Sequence, residues 1–386
     1  MVKSVNPQFA GMPTTIFAEM SALAREHGAV NLGQGFPDED GPEEIRQAAA
    51  DYLMDGLNQY PPLYGLPELR QAIARHDKRH YEMDVEWETQ VMVTSGATEA
   101  LTSSILAFLE RGDEAVVFEP VYDSYAPIIE LAGATCRPIR LEAPKWELPE
   151  DIESAFGEKT KLIMLNSPMN PIGKVFSDEE LTRIAELAQK YDCYVICDEV
   201  YEHLIFDRLK HKPLLKLSGM AERTVRIGSA GKIFSLTGWK VGFIVGTAEL
   251  IEQIAKVHQF VTFTVPPNLQ AGVAFGLDNR EDFYRALGTD LAAKRDRLTE
   301  GLKAIGFEVG KSQGTYFVVA DLESVGVKDE DRDFSRRLIS EGGVGSIPLS
   351  PFYLKSPPTN LLRFCFCKRD DVIDEGLAKL KAFFGA

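Results

Sequence analysis

From about residue 90 to residue 246, short β-rich runs alternate with segments long enough to be helices, and this alternation constrains the fold more than any other feature. The runs are Val91 to Thr94, Ala115 to Phe118, Lys161 to Asn166, Cys193 to Asp198, Thr224 to Ser229 and Val241 to Gly246. Helical patterns follow the first two, to Glu110 and from Tyr122 to Leu131. Strands separated by helices imply βαβ units and a parallel sheet. Several runs are apolar throughout, as strands covered on both faces must be. After about residue 280 the pattern changes to a long charged helix, Glu281 to Ile305, followed by strands at Thr315 to Ala320, Gly345 to Pro348 and Leu361 to Phe366. A final helix spans about Asp370 to Phe384. The expected architecture is α/β. A large domain over 46–279 is joined to a smaller α+β domain over 280–386, to which the segment 1–45 contributes. No internal repeat or low-complexity tract interrupts it.

The 386 residues suffice for two such cores. A net charge of −16 argues against nucleic acid and against anionic membrane surfaces, since both call for clustered Lys and Arg. No run approaches the roughly 18 apolar residues of a membrane helix, and the start lacks a signal-peptide core, so a cytoplasmic protein is expected. The five cysteines lie in strand-like contexts, which points to buried thiols. Cys365-Phe-Cys367 has the wrong spacing for a zinc knuckle, and with six histidines in the chain no metal is expected.

The chemistry concentrates at strand ends. Lys232 lies in Ser229-Ala-Gly-Lys-Ile-Phe, where few waters reach it, and a desolvated lysine amine is a nucleophile near neutral pH. Asp198 ends Cys193-Tyr-Val-Ile-Cys-Asp198, at the carboxyl edge where open α/β sheets bind ligands. It serves either as a helix cap or internal ion-pair partner, or as the anion opposite a pyridinium N–H. Together they point to a lysine imine with pyridoxal 5'-phosphate. Tyr201 is placed to donate to that ring's phenolate oxygen. Ser95-Gly96-Ala97-Thr98 follows a strand and opens a helix, which makes it either a capped turn or a phosphate site built from free N–H groups. Gly231-Lys232 lacks the Ser or Thr of a phosphate-binding nucleotide loop, and Gly33-Gln-Gly35 lacks the third glycine of a dinucleotide fingerprint.

Asn170, in the turn Asn166-Ser-Pro-Met-Asn-Pro171, is a turn residue or a second donor to the phenolate oxygen. Tyr122 begins a helix after Glu119-Pro120, with its ring in the core or on the cofactor face. Arg363 alternates with Leu362, Phe364 and Phe366, so it needs an anion. That anion is an internal acid or a substrate carboxylate held bidentately.

This ordered set resembles the fold type I, class I/II pyridoxal-phosphate aminotransferases: Gly96-Ala-Thr98, Asn166 to Pro171, Asp198-Glu-Val-Tyr201, Ser229 to Lys232, Gly238-Trp-Lys-Val-Gly242 and Arg363. The resemblance spans nearly the whole chain and implies a mostly parallel seven-stranded sheet. It also implies that Lys232 carries the cofactor and shuttles protons, with Asp198 on the ring nitrogen and Tyr201 and Asn170 on the phenolate. Tyr122 would stack on the ring, while Ala97, Thr98, Ser229 and Lys240 hold the phosphate. Arg363, Asn170 and the Gly35 backbone would hold the substrate carboxylate. Tyr60 would reach the phosphate of a neighbouring subunit, making a homodimer with shared sites. Lys240 stands where most relatives carry arginine. With Leu32-Gly-Gln-Gly-Phe-Pro-Asp38 and Val257-His-Gln259 it resembles the kynurenine aminotransferase and glutamine transaminase K branch. Thr14 to Ser21, Gly314 to Phe317 and Ile347 to Ser350 are also similar to methionine and N-succinyldiaminopimelate aminotransferases.

The implied reaction is ping-pong transfer of an amino group from an L-amino acid to a 2-oxo acid. Phe17, Tyr122 and Phe263 match positions lining the side-chain pocket in this branch, favouring aromatic, sulfur-containing or glutamine-like donors, although all three fit a core equally well. A cysteine-S-conjugate β-lyase would use the same residues. A pyridoxal-phosphate regulator fused to a DNA-binding domain fits neither the charge nor the short segment before Gly96.

Overall fold

The computed structural model describes residue 3 and residues 5–385. Its strands are β1 (Val30–Asn31), β2 (Val91–Ser95), β3 (Glu114–Glu119), β4 (Thr135–Arg140), β5 (Thr160–Asn166), β6 (Tyr194–Asp198) and β7 (Thr224–Ser229), then β8 (Val241–Val245), β9 (Glu308–Val309), β10 (Phe317–Asp321), β11 (Val344–Gly345), β12 (Ile347–Pro348) and β13 (Leu361–Cys365).

Seven of them form one sheet in the order β2-β8-β7-β6-β5-β3-β4, giving an α/β fold on a large, mostly parallel sheet. Alternate residues of one strand serve different cores. Val116 and Phe118 of β3 pack with the helix Asp178–Lys190, while Ala115 and Val117 face the cluster built on the helices Gly96–Phe108 and Ala248–Val261. Burial on both faces is why these runs read as continuously apolar. The helix Asp178–Lys190 starts where Ser177 and Glu180 cap each other's backbone N–H groups.

Two features depart from the sequence pattern. β8 runs antiparallel to both β2 and β7, because residues 230–240 hold only short helical turns and cannot make a crossover. β4 gave no apolar signal: it is an edge strand, largely exposed, with Pro138 in it.

A second sheet, β12-β13-β10-β9, is antiparallel throughout. β1 pairs with β11, so the N-terminal segment is hydrogen-bonded into the C-terminal third. The run expected as one strand over Gly345 to Pro348 is split, β11 joining β1 and β12 joining β13. Arg363 lies in β13 between Val319 and Ile347, and its strand is central and buried. All five cysteines are free thiols, Cys136 partly exposed on β4 and the others buried. Among the described residues no helix is long and apolar enough to cross a membrane.

Candidate active site

The carboxyl ends of β5, β6 and β7 meet the start of the helix Gly96–Phe108 around a cavity of about 500 Å³, closed on the far side by Arg363 and Phe317. The parallel direction of these three strands puts Asn166, Asp198 and Ser229 at one edge.

Asp198 is 4% exposed. Its Oδ2 accepts from the Tyr125 hydroxyl at 2.6 Å, and Oδ1 accepts from the Val200 N–H at 3.4 Å. Burial pushes its carboxyl up to about 6, against the pull of Tyr125, the Val200 N–H and Lys232. No cation lies in ion-pair range of it among the described residues. No ion pair holds this side chain, and its contact with the Val200 N–H closes a turn, since no helix follows β6 directly.

Lys232 sits in the one-turn helix Ala230–Ile233 directly after β7. Its Nζ donates to the Tyr316 hydroxyl at 2.6 Å, which in turn donates to the Gly35 carbonyl at 2.8 Å. Burial lowers the amine to about 8, with Lys240 and Arg363 acting in the same direction. The Tyr201 ring lies 5.7 Å from Nζ, and burial raises its phenol, leaving a neutral donor.

At the opposite end of the cavity, Gly96 has φ +71 and starts the helix whose first residues, including Ala97 and Thr98, line the wall. These first N–H groups have no acceptor within the helix. Lys240 packs across them. A Cβ on Gly96 would come within 3.0 Å of its Cε, and a Cβ on Gly242 would meet the Gly96 carbonyl carbon at 2.6 Å. Positive partial charge from the helix start and the Lys240 amine converge on one spot.

Arg363 is 1% exposed and has no acid partner among the described residues. Nη1 donates to Asn170 Oδ1 at 3.0 Å and Nη2 to the Gly33 carbonyl at 2.9 Å, while Nε has no partner. Its guanidinium stacks 3.9 Å above the Phe317 ring. Arg363 lines the cavity, and a buried guanidinium there without an acid partner marks an anion site. Asn170 is fixed by this bond and by its own N–H to Asn166 Oδ1, at 2.8 Å.

Phe17, Gly35 and Tyr122 also line the cavity. Tyr122 does not begin a helix, as its sequence context suggested: it lies in the turn before Tyr125–Leu131, where the Tyr125 N–H bonds back to the Tyr122 carbonyl at 3.1 Å. Tyr60 and Phe263 are not brought to this cavity. They form an edge-to-face pair at 5.4 Å on the surface, 82% and 41% exposed. Phe263 is thus no wall of the pocket within one chain. Tyr125, Tyr316 and Phe317 were missed by sequence reasoning. Tyr125 reads as core, and only the tertiary contact shows that its hydroxyl serves Asp198.

The sequence profile of the family described as aminotransferase class I and II matches residues 27–380. The chain belongs to that family. It is 45% identical over 379 residues, 95% of each chain, to a probable N-succinyldiaminopimelate aminotransferase of Mycobacterium tuberculosis. It is 38% identical over 369 residues, again 95% of each, to the methionine aminotransferase of Escherichia coli. The solved N-succinyldiaminopimelate aminotransferase structure from M. tuberculosis superposes with a TM-score of 0.95 at 45% identity, over 98% of this chain and 100% of that one. The aminotransferase acts on amino-acid and 2-oxo-acid substrates, and its cofactor is pyridoxal phosphate.

The residues present fit that cofactor. The wall offers a lysine amine with a lowered proton affinity, a buried carboxylate without a cation, and N–H groups beside Lys240 for a phosphate.

Proposed function

We propose that the enzyme takes its amino group from aromatic, sulfur-containing or glutamine-like L-amino acids, at a site in which each side chain has one task. Pyridoxal phosphate supplies an electron-withdrawing ring that carries the amino group between the two substrates. Arg363 binds the substrate carboxylate through its guanidinium, which fixes the Cα proton relative to Lys232. The Lys232 amine removes that proton and returns it on the cofactor side, with Tyr316 holding the amine in place. Asp198, held by Tyr125, would pair with the cofactor's ring nitrogen, Tyr201 and the Asn170 amide would donate to its phenolate oxygen, and Tyr122 would pack against the ring. Gly96, Ala97, Thr98, Ser229 and Lys240 hold the phosphate.

The observation that carries the donor class is the cavity wall. Phe17, Tyr122 and Phe317 line it, and Arg363 is its one guanidinium among the described residues. A second carboxylate on the donor would find no second guanidinium on this cavity wall among the described residues. N-succinyldiaminopimelate is the second reading, favoured by the 45% identity to the mycobacterial relative.

Single amino acids added to purified holoenzyme without an oxo acid separate the two. Methionine, phenylalanine or glutamine should convert the cofactor absorbance to that of the aminated form. Conversion by N-succinyldiaminopimelate alone would replace the first reading by the second, and pyruvate released without acceptor would point to β-elimination.

We further propose a cytosolic homodimer, with the chain dividing near residues 45 and 280 and Tyr60 and Phe263 completing the partner's site. Support comes from their exposure, together with Met54, Leu57 and Phe260 at 80%, 77% and 85%.

A further inference from the structure

His76 and His80 lie one turn apart on the helix Pro67–Tyr81, and the turn after β6 brings His203 against them. The three rings are 4.7, 4.9 and 4.9 Å apart, and one nitrogen of each lies within 4.8 Å of the other two. None of them lines the catalytic cavity.

Their hydrogen bonding leaves a gap that suits a cation. His76 Nδ1 is 3.1 Å from Asp77 Oδ1, and Asp77 is held as an acceptor by Arg226 Nη1 at 2.6 Å. His76 therefore carries its proton on Nδ1 and turns a bare Nε2 outward. That lone pair lies 2.7 Å from His203 Nε2, which either donates its own N–H across the gap or, with its proton on the other nitrogen, turns a second lone pair toward a metal ion. A carboxylate behind a histidine fixes the tautomer a metal requires. His80 Nε2 meets the Tyr284 hydroxyl at 2.9 Å.

Charge gives a second, independent indication. Arg226 is fully buried and contacts Asp77, Glu199 and Glu202, with His211 2.9 Å from Glu199. Even with His211 protonated, three buried carboxyl groups face two cations. Asp77 Oδ2 and Glu202 Oε1 have no hydrogen-bond partner. Glu202 is the residue next to His203, so a divalent ion on the histidines would lie beside this excess of negative charge.

We propose that His76, His80 and His203 form a binding site for a divalent transition-metal ion of the zinc class. Three imidazoles suit zinc, with bonds of about 2.1 Å that would open the His76–His203 nitrogen separation to roughly 3.3 Å. The fourth position faces a recess of about 370 Å³ lined by Asp207, Arg208 and Gly288, where water completes the set. The ion clamps the helix Pro67–Tyr81 to the turn that carries Tyr201, two residues before His203. Its role is structural, and its loss loosens the turn holding Asp198 and Tyr201.

The test uses chelator-treated holoenzyme titrated with Co²⁺ and then Zn²⁺. One Co²⁺ per chain is expected, with the visible bands of a nitrogen and oxygen ligand set and no sulfur charge-transfer band. Zn²⁺ should displace it and raise the melting temperature with concentration. His80→Gln and His203→Gln should each weaken uptake at least ~10-fold, checked on protein that keeps its circular dichroism and cofactor absorbance. Should either variant fail to fold, the wild-type Co²⁺ spectrum decides alone. Substoichiometric uptake, a sulfur band placing the ion at Cys365 and Cys367, or equal affinity in folded variants would overturn the proposal.

Discussion

Asp198 shows what a buried carboxylate without an ion pair costs its fold. Its carboxyl is raised from 3.8 to about 6, which corresponds to roughly 3 kcal/mol against the ionised form in cofactor-free protein. Because the folded state holds that proton more tightly than the unfolded chain, stability is fully present below pH 4 and lost as the pH rises through about 6. Asp198→Asn keeps a neutral group there. The cofactor-free variant should therefore melt above cofactor-free wild type at pH 8, with the gap narrowing toward pH 5, while turnover of the loaded enzyme falls by ~10²-fold or more. Equal melting curves at pH 8 would contradict the burial argument. Lys232 has the opposite sign. Only its neutral amine is a nucleophile, so the rate at which stripped enzyme takes up cofactor should rise as the pH passes about 8 and then level off. Lys232→Ala should reduce transamination by about 10²–10⁴-fold or more in a steady-state assay. At this scale the sequence was informative for both residues, because each ends or follows a conspicuous apolar strand. It was silent on Tyr125 and Tyr316, whose hydroxyls meet their partners only across the fold.

At the scale of elements, the phosphate end depends on how closely β8 passes the end of β2. Gly242 pairs with Thr94 and Ser229, and a methyl group there would overlap the backbone of Gly96. Gly242→Ala should lower the melting temperature by an amount equivalent to about 1–3 kcal/mol and weaken cofactor binding with it, read by thermal unfolding and by cofactor titration. Loss of stability without loss of affinity would show that the strand contact does not shape the phosphate site. The helix opening at Gly96 was legible, since a strand, a glycine and a threonine precede a helical pattern. The antiparallel turn of β8 was not. Alternation of strand and helix says nothing of direction when the connection is too short to cross over. Edge strand β4 escaped for a related reason: half its surface faces water, so its residues carry no burial pattern.

At the scale of the molecule, the exposed pair of Tyr60 and Phe263 is what the proposed dimer would cover. Phe263→Glu should shift the protein toward monomer in sedimentation velocity and lower cofactor affinity, whereas a variant that stays dimeric and active would remove these residues from the interface. The sequence by itself determined the α/β architecture and the aminotransferase class, and it singled out Lys232, Asp198 and Arg363 as candidates. These follow from local periodicity, composition and residue type, which need no partner to be read. Tertiary structure alone decided that Arg363 meets no acid among the described residues, that Tyr125 donates to Asp198, and that His76, His80 and His203 share one space. Each of those facts joins residues distant in the chain, and only the packing of strands and helices fixes such distances.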